Sequence, residues 1–118
     1  MSERTERIAR TALQILGEAL PRLLPEDLYP LITLTGAEVS SDLSFIDVRV
    51  QIAAEGDRGD EVYACFLEYK SRLQALIARG LRSRKTPKMR LHRDLSLDYS
   101  EKIGELLDEI HNEREMEE

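Results

Sequence analysis

Residues 31–53 read LITLTGAEVSSDLSFIDVRVQIA, and the way this stretch divides decides the fold. Thr, Leu, Ile and Val crowd Leu31 to Ser40. From Phe45 to Ala53 the residues Ile46, Val48, Val50 and Ile52 alternate with Asp47, Arg49 and Gln51. Branched side chains in a two-residue period suit a pleated strand with one buried face, because successive side chains point to opposite sides. Ser40, Ser41 and Asp42 have short polar side chains that satisfy turn backbone, so two strands joined as an antiparallel hairpin are predicted.

Upstream of the hairpin, Ile8, Ala12, Ile15, Leu16, Ala19, Leu20 and Leu23 recur three and four apart, the spacing of one helix face. Ser2 is placed to cap this helix. Pro21 lacks a backbone donor and crowds the preceding turn, which predicts a kink or stop near Leu20 and a connecting loop from Pro25 to Pro30. Downstream, Glu55 to Gly59 reads as a loop, and Asp60 as the cap of a second helical region with the stripe Val62, Cys65, Phe66, Tyr69, Leu73, Leu76 and Ile77. Gly80 falls near its end. Pro87 opens a short third strand, in which Met89 and Leu91 alternate with Arg90 and His92. A last helix is predicted after Asp94 to Asp98, packing Ile103, Leu106, Leu107 and Ile110 on the core. Residues 113–118 read as a solvated acidic tail.

The order helix, strand, strand, helix, strand, helix predicts an α+β domain in which helices cover one face of a three-stranded sheet. It fits the type II K-homology topology if Asp60 to Ser83 breaks into two helices. The chain has 118 residues, enough for one modest core, so a single domain over 1–112 is expected. No apolar run approaches the roughly twenty residues that span a bilayer, and the polar start from Ser2 to Glu6 is unlike an export signal. A cytoplasmic chain with no membrane partner is expected. Cys65 is the single cysteine, so no internal disulfide or thiolate cluster forms, and its apolar neighbours predict a small core residue.

The net charge of -6 hides a strong segregation. Between Lys70 and Arg93 stand nine basic residues and no Asp or Glu: Lys70, Arg72, Arg79, Arg82, Arg84, Lys85, Lys88, Arg90 and Arg93. Solvated helix faces normally mix acids with bases, so a one-sign run points to a polyanion site, with an acidic protein surface as the lesser alternative. Arginine grips phosphate oxygens in a planar, two-pronged manner. The first eight of these residues, Lys70 to Arg90, are the candidate RNA contacts. The chain has no Trp, and Phe45, Phe66 and Tyr69 lie in apolar patterns, which favours recognition of RNA backbone and shape over base stacking. Catalysis is not expected. His92 sits on a strand among arginines, His111 belongs to an acidic segment, and no phosphate-cradling glycine loop, nucleophile elbow or metal-ligand spacing is present.

Val39, Ser40, Ser41, Asp42 and Leu43, followed by the strand to Ile52, resemble the hairpin signature of the ribosome-binding factor A family, in which valine, serine and aspartate precede a strand. Arg82 to Leu91 resembles that family's arginine-x-arginine-x-x-proline segment, and Asp94, Ser96, Ile103, Leu106, Leu107 and Ile110 its closing aspartate, serine and helix. The resemblance implies a type II K-homology fold with an alanine-x-glycine kink between two helices. Counted back from Pro87, that kink falls at Tyr69, Lys70 and Ser71, which are neither alanine nor glycine. The family's aspartate-proline-arginine element is absent too, with Pro25, Glu26 and Asp27 in its place. The resemblance implies a monomeric, non-catalytic assembly factor without a cofactor, which binds free, immature small ribosomal subunits and their rRNA and supports late rRNA maturation and processing. Assembly GTPases work at the same particle. A K-homology-like adaptor that docks its basic edge on an acidic protein is the alternative.

Overall fold

Ser2 starts the first helix as expected: its Oγ accepts a hydrogen bond from the Thr5 amide at 3.1 Å, supplying a partner that the first helical turn lacks. The computed structural model describes residues 2–82 and 84–95. Helix α1 runs from Glu3 to Leu23 and buries Thr5, Ala9, Ala12, Leu16, Ala19 and Leu20, with Ile8, Ile15 and Leu23 half-buried at the margins. Of the kink or stop expected near Leu20, the stop does not occur. The helix continues to Leu23, and the Leu24 amide still donates to Leu20 O at 2.9 Å. Pro21 and the residue four before it, Gly17, are both exposed, so the carbonyl that the ring crowds can tilt toward water.

Strands β1 (Ile32–Val39) and β2 (Phe45–Ile52) form the predicted antiparallel hairpin, with Ile32 opposite Ile52 and Val39 opposite Ile46. A register shift between Leu34 and Gly36 adds one residue to β1, as in a β-bulge. Asp42 organises the turn: its Oδ1 accepts from the Ser40 hydroxyl at 2.9 Å and the Ser44 amide at 3.0 Å, while Leu43 takes a positive φ of 63°.

Strand β3 (Lys88–Arg93) lies parallel to β2, with Ile46 beside Met89 and Val48 beside Leu91. The sheet order β1-β2-β3 makes β2 central. Parallel neighbours need a crossover. Helices α2 (Gly56–Leu67) and α3 (Lys70–Leu81) provide it. One sheet face carries Ile46, Val48, Val50, Ile52 and Met89 into a core completed by Leu16, Leu20, Phe66, Leu73 and Ile77. The result is an α+β layer of three helices on a mixed three-stranded sheet.

The start of α2 corrects the sequence reading. The helix begins at Gly56, not after Asp60, because Gly56 adopts φ +57°, a conformation that L side chains rarely take, and turns the chain directly out of β2. Asp60 instead sits inside the helix and pairs with Arg93, Nη1 to Oδ1 2.7 Å. The break between α2 and α3 falls at Glu68 and Tyr69. There the Tyr69 amide donates to Phe66 O at 2.9 Å, a tightened turn, and Tyr69 takes φ −93° and ψ 0° before α3 begins. A helical break thus forms at a tyrosine, with neither alanine nor glycine present.

Cys65 is exposed, contrary to its predicted core position. Only Gly59, Val62 and Phe66 of α2 are buried, and Cys65 looks instead onto the space between α2 and the 25–31 segment. Gln74 ties α3 to β3 in a way no periodicity signals: its Nε2 donates to Pro87 O at 3.0 Å, and its Oε1 accepts from the Met89 amide at 2.7 Å. The predicted last helix with Ile103, Leu106, Leu107 and Ile110, and the acidic tail, lie outside the described residues. Among the described residues, no helix is long and apolar enough to cross a membrane.

Candidate nucleic-acid interface

Helices α1 and α3 pack antiparallel, which brings the start of one to the end of the other. A Cβ at Gly80 would overlap the Ile15 side chain, so glycine there permits the close approach. One residue past the helix, Arg82 takes the left-handed conformation, φ 52° and ψ 34°, and turns the chain away from the α3 axis. The space between the two helix ends is a surface cleft of about 420 Å³, lined by Arg4, Arg7, Ile8 and Thr11 from α1 and by Leu81, Arg82 and Arg84. Four guanidinium groups therefore border one concavity. Arg7 lies 3.9 Å from Glu3, an exposed pair too loose to withdraw it from an incoming anion.

The basic run scatters over three places. Arg79, Arg82, Arg84 and Lys85 cluster around the end of α3 and the following loop. Lys85 Nζ reaches back to the hairpin turn, 3.4 Å from Asp42 O and 3.3 Å from Ser44 Oγ. Lys70 and Arg72 begin α3 at its far end, where the Arg72 guanidinium stands 5.3 Å from the centre of the Tyr69 ring. Lys88 and Arg90 lie on β3. Arg90 holds Asp47 with two hydrogen bonds, 2.7 and 2.9 Å, and lies 4.1 Å over the Phe45 ring, while His92 Nε2 is 2.7 Å from the same carboxylate. The structure thus joins Arg82 and Arg84 in one cleft and holds Arg90 in a separate network on the open sheet face. Arg4 and Arg7, which border the cleft, were missed from sequence. They alternate with Glu3 and Glu6, and a mixed first turn reads as an ordinary solvated helix start.

Two carboxylates are held well below the usual range. Hydrogen bonds from Arg90, partly opposed by burial, and then from His92 lower Asp47 from 3.8 to about 2. Hydrogen bonds from Ser44 and then Ser40 lower Asp42 to about 2. A depressed folded-state pKa stabilises the fold above the unfolded value, and that contribution is lost as pH falls from 3.8 toward about 2. Thermal stability is therefore expected to decline through this window. The double variant Asp42→Asn, Asp47→Asn should show a shallower dependence in pH-resolved melting curves; an unchanged slope would show that neither carboxylate contributes. The effect is modest, since Asp42 is exposed and Asp47 only partly buried.

The family model described as ribosome-binding factor A matches residues 4–107. Ribosome-binding factor A of Roseiflexus sp. (strain RS-1) is 34% identical over 115 residues, covering 97% of this chain and 88% of that protein. The crystal structure of ribosome-binding factor A from Thermus thermophilus superposes with a TM-score of 0.63 at 22% identity, over 75% of this chain and 94% of that one. A homology model of Thermus thermophilus ribosome binding factor A, as fitted into the cryo-EM map of a 30S complex, gives a TM-score of 0.57 at 19% identity, over 81% of this chain and 97% of that one. The two structural likenesses carry the fold alone, whereas the match across most of the sequence carries the family. With a family model matched over residues 4–107 and a 34% identical relative that covers 97% of the chain, this chain belongs to the ribosome-binding factor A family.

Proposed function

We propose that this chain is a ribosome assembly factor that binds the free, immature small ribosomal subunit through rRNA phosphates and supports late maturation and processing of that RNA without catalysis. The observation that carries the reading is the cleft where Arg4 and Arg7 meet Arg82 and Arg84, because each arginine can grip phosphate oxygens in a planar, two-pronged manner and four of them line one concavity. The relative fitted into a 30S complex supports the choice of particle. Arg79 and Lys88 extend the basic edge, whereas Lys70 and Arg72 stand at the far end of α3, away from the cleft, and add least. Lys85 and Arg90 already have acceptors within the chain and contribute less. A factor of this kind acts by binding one RNA arrangement better than its competitors, since a ligand shifts only those equilibria in which its affinities differ. It works as a monomer in the cytoplasm, alongside assembly GTPases.

Sedimentation of the tagged protein through a gradient of cell extract tests this reading. Co-migration with free small subunits is expected, lost as salt rises because phosphate contacts release counterions. Retention at the top of the gradient at low salt would sink it. A complex that survives nuclease treatment would favour the adaptor, held by an acidic protein instead of RNA.

A further inference from the structure

At the other end of α1 lies a second concavity of opposite character. The segment after Leu24 folds over the outer side of α2 and leaves an open groove of about 310 Å³. Its apolar lining is formed by Leu31, Tyr69 and Cys65, which reach the surface, over Leu28 and Val62, which are buried. Its rim carries Asp27, Glu61 and Glu68 against Arg58. Among the described residues, none of these four charged groups enters an ion pair. The exposed part of that lining leaves some hydrophobic area facing water, and three rim carboxylates against the single Arg58 guanidinium leave the rim negative on balance.

We infer that this groove docks a basic, partly apolar protein segment, whose apolar side chains cover Leu31, Tyr69 and Cys65 while flanking lysines or arginines meet Asp27, Glu61 and Glu68. The argument is charge complementarity. RNA is disfavoured here, because the rim would repel phosphates. A purely apolar partner would leave the carboxylates unanswered, whereas a segment with both features satisfies floor and rim together. The arginine cleft and this groove sit at opposite ends of a helix of 21 residues, about 30 Å long at the helical rise. A single chain can thus hold RNA at one end and a basic protein segment at the other, with the two sites separated by several Debye lengths at physiological salt. This inference goes beyond RNA binding and does not depend on it.

Cys65 is exposed, lines the groove and is the only cysteine, so it reports occupancy directly. The experiment measures alkylation of Cys65 by iodoacetamide in the full chain, with and without a peptide of alternating lysine and leucine, a peptide with glutamate replacing lysine, and a small-subunit rRNA fragment. The lysine–leucine peptide should slow the reaction about ten-fold near saturation, since only the free protein reacts. The glutamate peptide and the RNA should leave the rate unchanged. The exposed double substitution Glu61→Gln, Glu68→Gln should remove most of the protection while circular dichroism and RNA affinity stay as in the parent. Protection is a ratio of rates within each protein, so any change in the thiol's own reactivity cancels. No protection by the lysine–leucine peptide, equal protection in the double variant, or protection by RNA would each overturn the inference. RNA affinity measured on the same samples keeps its failure distinct from failure of the RNA-binding reading.

Discussion

Replacing Arg4, Arg7, Arg82 and Arg84 together with alanine is expected to weaken binding to small-subunit rRNA roughly a hundred-fold at low salt and to flatten the log–log salt dependence by about three. The reasoning is stoichiometric. Each guanidinium that neutralises a phosphate releases condensed counterions, and the four line one cleft, so their loss removes about four such contacts. Arg4, Arg7, Arg82 and Arg84 are all exposed, so the fold should survive, which circular dichroism can verify. Arg90→Ala serves as the contrast, because that guanidinium is already committed to Asp47 and Phe45 on the open sheet face. Fluorescence anisotropy across a salt series separates the two. An unchanged slope in the quadruple variant, or an equal loss in Arg90→Ala, would move the interface to the sheet.

Phe66→Ala should be the most damaging single substitution to stability, with an expected loss of about 3–5 kcal/mol. Phe66 is 1% exposed and among the largest fully buried side chains of the core. Its carbonyl also accepts the Tyr69 amide that closes α2 at the break, so the ring anchors the residue around which the crossover turns. Against a total stability of about 5–15 kcal/mol, such a loss leaves the domain marginal. Leu67→Ala, one position along the same helix, should change stability by less than about 1 kcal/mol, because Leu67 is 39% exposed. Urea denaturation of the two variants tests this directly. Comparable midpoints would mean that the helix rests on Leu67 as much as on Phe66.

Much of the architecture was legible because it is encoded locally. The alternation in Phe45 to Ile52 survives in the structure as four buried residues on one face, and Ser40 and Asp42 close the turn through their own side chains. The three-and-four spacing of α1 placed the helix face, and the stripe from Val62 to Ile77 marked the helical region of the crossover without showing its break at Tyr69. Boundaries were less legible. The start of α2 depended on a glycine at φ +57°, which composition does not reveal, and Pro21 lay where an exposed turn could absorb its ring.

What a chain sequence determines by itself is periodicity, turn chemistry and the local density of charge, since these depend on residues within a few positions of one another. Here that was enough for the hairpin, the first helix, the helical character of the crossover, the strand after Pro87 and the basic run from Lys70 to Arg93. Only the tertiary structure decided that β3 pairs parallel with β2, that Arg4 and Arg7 meet Arg82 and Arg84, that Arg90 is held by Asp47, and that Cys65 faces a groove rather than the core. Each of these joins residues far apart in the chain. Which charges meet, and which small side chains remain in contact with solvent, follows from how helices pack on a sheet, and no window of sequence contains that geometry.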